Sequence, residues 1–298
     1  MTGNINYQVN QIWNQLDGIK TSKKDARKLT ANKGANGHRV SEMVHGTKYK
    51  KDVIQIAREL GNFAKENFGI KDMQRINNDI VHKFIHNKIE DGVTQKSLKA
   101  YVTKLEKVHI GLSKIPQQIK AHEKLFDREI FKELRTDINK YAIKTGHVNR
   151  AYINPQVIVN GMKGANNIAA QLQLNHGLRV SEATQISAEQ LMSNNRIIIN
   201  GKGGFTRIIT VENKLLNELK MHMKSSGNFS ISYSKYEQNL HESVYKNGEK
   251  YNGTHGLRYN YAQAKYAEYM KTMPHQNAMQ KVSYDLGHKR AEITKNYL

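Results

Sequence analysis

Proline interrupts this chain at only three points, Pro116, Pro155 and Pro274. A fixed φ and a missing N–H make proline the strongest local barrier to a helix, so most of the chain is free to be helical. Apolar residues recur at the matching period. Val9, Ile12, Trp13 and Leu16 mark a short amphipathic helix that carries the single tryptophan. Lys20 to Lys51 is polar, glycine-dotted and lysine-rich, and is expected to be a loop or a mobile basic arm. From Asp52 three helical stripes follow: Val53, Ile56, Ala57, Leu60 and Phe63; then Ile76, Ile80, Phe84 and Ile89; then Leu98, Tyr101, Val102, Leu105, Val108 and Leu112. The breaks at Phe68–Lys71 and Asp91–Thr94 are short, as in a compact helical bundle.

Beyond Ile115 the chain is charged and helix-compatible up to about Asn149, ending in a loop-like Lys144–Asn149, and a domain boundary is expected there. Asn167 to Glu182 then reads as a helix. Arg196–Asn200 and Thr206–Val211 read as two strands joined by the glycine-rich Gly201–Phe205, a hairpin pattern. Helices resume at Thr254–Met270 and Asn277–Leu286. The expected fold is mainly α, with a helical first domain and a mostly helical second domain holding a small antiparallel β-sheet. In numbers, 1–48 is a helix and basic segment, 49–120 a helical domain, 121–150 a linker region and 151–298 a second domain.

Charge limits what such a fold can be for. Lysine and arginine number 47 against 26 acidic residues, a formal net charge of +21. Self-repulsion of that size points to a polyanionic partner, and the cations are spread along the whole chain, as suits a protein that wraps a phosphate backbone. Lys48, Lys50 and Lys51, closing the basic segment, are the expected DNA contacts outside any reaction centre. Cysteine is absent, which removes disulfides, thiolate nucleophiles and cysteine-held zinc. No apolar run reaches the ~18 to 20 residues of a membrane span and no signal peptide begins the chain, so the expected location is the cytoplasm, away from membranes. One metal-like spacing occurs, His82-x-x-x-His86 on a predicted helix. No third ligand is obvious from sequence, so the pair is expected on the surface without a metal.

Four short segments carry reactive residue types. HGLRVSEA, residues 176–183, sets Arg179 and Glu182 three apart, as neighbours on a helical face. GKGG, residues 201–204, puts Lys202 in a turn and lacks the GxxxxGK[ST] pattern of a phosphate loop. HGLR, residues 255–258, sets His255 and Arg258 on one side of a helix start. LGHKRAEITKNY ends with His288 nine residues before Tyr297. Each alone has an ordinary reading as an ion pair, a turn, a packed helix or a terminal tyrosine.

Together, in this order and at these spacings, they resemble the tyrosine recombinase (phage integrase) family. GLRVSE is similar to the family's first arginine box, HGLRYNYA to its HxxR box, and LGHKRAEITKNY to its closing box. Tyr49 to about Leu112 also resembles, less specifically, the family's core-binding domain. The resemblance implies a site-specific DNA recombinase that works on double-stranded DNA through a 3′-phosphotyrosyl intermediate, with Tyr297 as nucleophile. Arg179 and Arg258 would clamp the non-bridging oxygens, His288 would donate a further hydrogen bond and His255 would assist proton removal from the tyrosine. Lys202 would give the 5′-oxygen its proton, and Glu182 would hold Arg179. No cofactor, ATP or metal is implied. The implied partners are a homotetramer on two DNA sites and accessory DNA-bending or directionality proteins. Many family members carry a tail beyond the nucleophile, whereas here Leu298 alone follows. The Tyr297 segment is therefore expected to fray, and the Val9–Leu16 helix becomes a candidate for linking protomers. Relaxation of DNA by a type IB topoisomerase, telomere resolution and a non-catalytic DNA-binding role remain as alternatives.

Overall fold

The computed structural model describes residues 1–33, 37–116, 126–201, 204–223 and 227–298. Two compact units divide the chain, Met1–Gly146 and His147–Leu298. Among the described residues no helix is long and apolar enough to cross a membrane.

The first unit is helical: α1 (Ile5–Asn14), α2 (Lys23–Lys28), α3 (Thr47–Phe68), α4 (Asn78–Glu90), α5 (Gln95–Ser113) and α6 (Ile130–Tyr141). Asn4, Ser22, Asn77 and Thr94 begin α1, α2, α4 and α5, each side-chain oxygen accepting from a backbone N–H one turn inside the helix. Gly69, at φ 68°, ends α3 in the left-handed conformation. The three stripes read from the sequence lie on α3, α4 and α5 and form one core.

Helix α1 packs on α3 and α5. It comes close because Gly61 and Gly111 face it; a Cβ on either would lie 2.7 Å from Ile5 or Ile12. Val9, Ile12, Trp13 and Leu16 are consequently buried in their own unit. The stripe that suggested a link between protomers is therefore used in the core of its own unit. The Lys20–Lys51 segment is also more ordered than a loop. It holds α2, bridges from Asp17 to Val44 and from Lys33 to Arg39, and the first turn of α3 from Thr47. Lysine is a good helix former, so Lys48, Lys50 and Lys51 extend α3 backwards.

Residues 121–150, expected as a linker, contain α6. Ile130, Phe131, Leu134 and Ile138 make a stripe within a charged sequence, and all are buried against α4 and α5. The boundary falls after Gly146 for that reason.

The second unit comprises α7 (Pro155–Gly161), α8 (Gly164–His176), α9 (Val180–Ala183), β1 (Gln185–Ser187), β2 (Arg196–Asn200), β3 (Thr206–Thr210), α10 (Asn213–Met223), β4 (Asn228–Ser230), α11 (Tyr233–Lys246), α12 (Gly256–Tyr269), α13 (His275–Asp285) and a closing 3-10 helix, Ala291–Asn296. β2 and β3 form the expected antiparallel hairpin, with Ile198 opposite Ile208 and Asn200 opposite Thr206. β1 pairs antiparallel with β4. The fold is mainly α with small antiparallel sheets, as expected.

One expected helix is two. Asn167–Glu182 breaks at Gly177, which takes φ 63° and ends α8. A side chain at Gly177 would collide with the Tyr261 ring, so this glycine serves both the turn and a close approach by α12.

Candidate active site

The sequence-predicted residues of the second unit sit at element ends, where backbone groups lack partners within their own helix. Arg179 is the N-cap of α9 and Glu182 its third residue. Their contact is therefore not the expected helix-face pair. Glu182 turns back to accept from the Arg179 backbone N–H at 3.0 Å, while Arg179 Nη1 donates to Glu182 Oε1 at 2.6 Å. His255 is the N-cap of α12 and Arg258 lies in its first turn. Gly287, at φ 72°, turns the chain out of α13 toward His288. Tyr297 caps the closing 3-10 helix.

Arg258 is the hub. Its side chain is fully buried. Nη1 donates to the Gly177 carbonyl, and Nη2 to the Leu286 carbonyl at 2.6 Å. Both acceptors are C-caps, of α8 and α13, where free carbonyls and the helix dipole favour a cation. Two contacts remain. Nε donates to the Tyr297 hydroxyl at 3.2 Å, and Nη2 lies 3.2 Å from His288 Nε2. Arg179 Nη2 approaches the same His288 nitrogen at 3.1 Å. The structure thus brings Arg179, Glu182, Arg258, His288 and Tyr297 into one hydrogen-bonded cluster.

Charge in this cluster is unbalanced. Glu182 receives Arg207 Nη2 at 2.7 Å besides Arg179, so one buried carboxylate faces three guanidiniums, counting Arg258 at 4.0 Å. Burial alone would raise the Glu182 pKa, but the hydrogen bond and charge of Arg207 and then the Arg179 contacts outweigh it and keep it below the ordinary carboxylate value. His288 is pushed down to about 4 by burial and by the charges of Arg179, Arg258 and Arg207. Its ring is neutral at pH 7, with Nε2 accepting from the two arginines and the proton on Nδ1. His255 is half-buried, and its pKa is lowered by burial and then by Arg258, Arg150 and Arg179. A neutral imidazole is the form able to take a proton. A surplus of buried positive charge around a neutral imidazole and a tyrosine hydroxyl is chemically suited to an anion.

Tyr297 is tied down, contrary to the expected fraying. Its backbone carbonyl accepts from Gln263 Nε2 at 2.7 Å, and its N–H donates to the Thr294 carbonyl at 2.8 Å. His147 Nε2 reaches the Asn296 carbonyl at 2.7 Å, and Thr294 Oγ1 donates to Met279 of α13 at 2.8 Å. The ring packs against Tyr259 at 4.8 Å between centroids. Of the other tyrosines after His255, Tyr261 is buried and Tyr269 donates to Asp285, which are packing roles.

Lys202 lies outside the described residues. Gly201, just before it, lines a cavity of about 440 Å³ together with Arg179, Glu182 and Asn200. In the first unit, Lys48 and Lys51 are exposed on the first turn of α3, whereas Lys50 folds over the Trp13 ring at 4.4 Å. His82 and His86 do meet a third possible ligand, Asp137 of α6.

Sequence reasoning missed Arg207. It lies on β3 opposite Ile199, on the inward face of the hairpin, and is 5% exposed. The signal was present: in TRIIT the alternation puts a charge where a core residue belongs. Its Nε and Nη1 are buried and donate to no protein acceptor among the described residues. Gly287 covers that guanidinium closely; a Cβ there would lie 2.8 Å from Nη1.

The phage integrase family profile matches residues 147–298, the whole second unit. The chain belongs to this family, the tyrosine-type site-specific DNA recombinases. Among solved structures, a lambda integrase dimer bound to a COC′ core site matches with a TM-score of 0.58, at 12% identity, over 85% of this chain and 72% of that one. The Tn1549 transposon integrase in complex with a circular intermediate DNA matches with a TM-score of 0.58, at 13% identity, over 97% and 94%. A lambda integrase tetramer bound to a Holliday junction gives 0.57, at 12% identity, over 92% and 75%. Identities this low establish likeness of fold. No curated protein matches the chain by sequence.

Proposed function

We propose that the protein cuts and rejoins double-stranded DNA at defined sites through a 3′-phosphotyrosyl intermediate on Tyr297. The observation that carries this reading is the 3.2 Å contact between the Tyr297 hydroxyl and Arg258, beside Arg179 and His288. A scissile phosphate entering the cluster replaces His288 as the acceptor of the Arg179 and Arg258 N–H groups. The two guanidiniums then neutralise the charge that builds on the non-bridging oxygens during in-line attack. As the Tyr297 oxygen bonds to phosphorus, its proton passes to His255. The bond from phosphorus to the 5′-oxygen breaks, and that oxygen takes a proton, a role the family resemblance assigns to Lys202. Freed from the two arginines, His288 shifts its proton from Nδ1 to Nε2 and donates a hydrogen bond to the phosphate, and Glu182 with Arg207 fixes Arg179. The phosphotyrosyl ester keeps the energy of the broken bond, so attack by a 5′-hydroxyl reseals the strand without ATP. The arginines supply the positive charge that metal ions supply in other phosphoryl-transfer sites.

The setting we infer is an integrase or resolvase of a mobile element, acting as a tetramer on two DNA sites in the cytoplasm. The first unit would grip DNA, with exposed Lys48 and Lys51 among its phosphate contacts. Support comes from the net charge of +21 and from structural likeness to a transposon integrase and to an integrase tetramer on a Holliday junction.

The test is a nicked suicide duplex carrying the repeats that flank the reading frame. Wild type should give an SDS-resistant protein–DNA adduct, and Tyr297→Phe should give none while still binding DNA. An adduct that survives in Tyr297→Phe overturns the assignment and moves it to Tyr284, which is 55% exposed. Strand exchange between two such sites, without relaxation of unrelated supercoiled plasmid, separates this reading from a type IB topoisomerase.

A further inference from the structure

Two helices of the first unit bring together a set of donors that recombination chemistry does not use. His82 and His86 stand one turn apart on α4, their rings stacked at 4.2 Å and 19° from parallel. Parallel rings aim their Nε2 atoms the same way, and both reach one oxygen, Asp137 Oδ2 on α6, at 3.1 and 3.0 Å. Glu133, one turn earlier on α6, places Oε1 3.9 Å from His82 Nε2. The three donor atoms of His82, His86 and Asp137 lie within 4.8 Å of one another. All three side chains are partly buried, at 34%, 31% and 20% exposed. A groove of about 500 Å³, lined by Asn78, Asp79, His82 and Glu133, opens at the His82 side of this set.

We infer that His82, His86 and Asp137, with Glu133 as fourth ligand, bind a divalent transition-metal ion of the zinc type and thereby pin α6 to α4. Two imidazoles and two carboxylates suit such an ion, which favours four ligands at ~2.0–2.2 Å. Tetrahedral placement at those bond lengths sets neighbouring donors ~3.3–3.5 Å apart. The histidine–aspartate distances need to open by only a few tenths of an ångström, within rotamer adjustment of side chains at a helix surface. Two imidazole protons pointing at one carboxylate oxygen can hold the same geometry without metal. On binding, the Nε2 atoms give up their protons and the metal takes the place of the two N–H groups. A metal here staples an element that is contiguous in space but 47 residues from α4 in sequence, counting from His86 to Glu133.

Calorimetric titration of the full chain with zinc chloride, after dialysis against chelator, should show one saturable site that is missing from His82→Ala/His86→Ala. Asp137→Asn should bind on the order of ten- to a hundredfold more weakly. Zinc should raise the melting temperature of wild type and not that of the double variant. The visible bands of bound cobalt should carry the intensity of a four-coordinate site. If alanine disrupts folding, His82→Gln/His86→Gln retains amides that can donate to Asp137 and should still lose the zinc site. Adduct formation at Tyr297 should be unchanged in these variants. Equal zinc uptake by wild type and the double variants, with the other eleven of the thirteen histidines taking the ion, overturns the proposal. So does the absence of any saturable site.

Discussion

Both units bury cations, and Lys107 of the first and Arg258 of the second are held in opposite ways. In the first unit Lys107 of α5 is 8% exposed, and among the described residues its Nζ donates to one backbone carbonyl, that of Ser41. Burial pushes its pKa down to about 8, only partly offset by Glu106 and Glu42. In the second unit Arg258 is fully buried and its donors reach two helix-end carbonyls, the Tyr297 hydroxyl and His288. A lysine can shed its proton when desolvation becomes costly, whereas a guanidinium cannot. The cation that meets a phosphate in the proposed mechanism is therefore the one that cannot switch itself off. Its environment has spread the charge over several partners in advance.

The largest effect should come from abolishing that contrast. Arg258→Lys keeps a charge but cannot serve both helix ends and the tyrosine, so adduct formation should fall on the order of 10³-fold. DNA binding, read by gel shift, should change far less, and a loss below tenfold in adduct formation would mean that charge alone suffices. Next, Glu182→Ala leaves the buried Arg207 guanidinium without its carboxylate and should cost about 3 kcal/mol of stability, measured by denaturant unfolding. The double variant Glu182→Ala/Arg207→Met should recover much of that loss, but not cleavage. Lys107→Met should go the other way, stabilising the first unit by about 1–2 kcal/mol at pH 7. The folded pKa of Lys107 is near 8 and its ordinary value is 10.5, so the unfolded chain binds more protons between those limits. Wild-type stability should thus gain a rising component from pH 8 to 10.5, and Lys107→Met should lose it. The smallest effect concerns His288. With a folded pKa of about 4 against an ordinary 6.5, it favours the folded state fully above pH 6.5 and progressively less down to pH 4. Its imidazole resonances should still report a neutral ring at pH 5.5, and a charged ring there would mean that the arginines do not crowd it in solution.

The helical period exposed most of the fold, because a stripe at spacing three and four survives whatever lies between. At α6, where charged residues surround Ile130, Leu134 and Ile138, the sequence was helix-compatible but offered no bounds, and at Lys20–Lys51 the period was missed, since α2 is only six residues long and its ends are set by contacts. The cluster was legible for a different reason. Arg179, Arg258, His288 and Tyr297 stand in a recognisable order, but nothing in that order says that Arg258 plugs two helix ends. Arg207 went unseen because its importance is tertiary: it matters through Glu182, 25 residues away, and through the bare backbone at Gly287. Asp137 likewise joins His82 and His86 across 51 residues or more.

The ties that hold Tyr297, to Gln263, His147 and Arg258, all come from its own chain. On the proposed mechanism, a Tyr297 hydroxyl already seated against Arg258 of the same chain is placed to attack in cis. The yield of adduct on an isolated half-site should then rise in direct proportion to protein concentration, first order from the lowest occupancy upward. Cooperation between copies would enter only later, when freed strand ends must be exchanged between two duplexes.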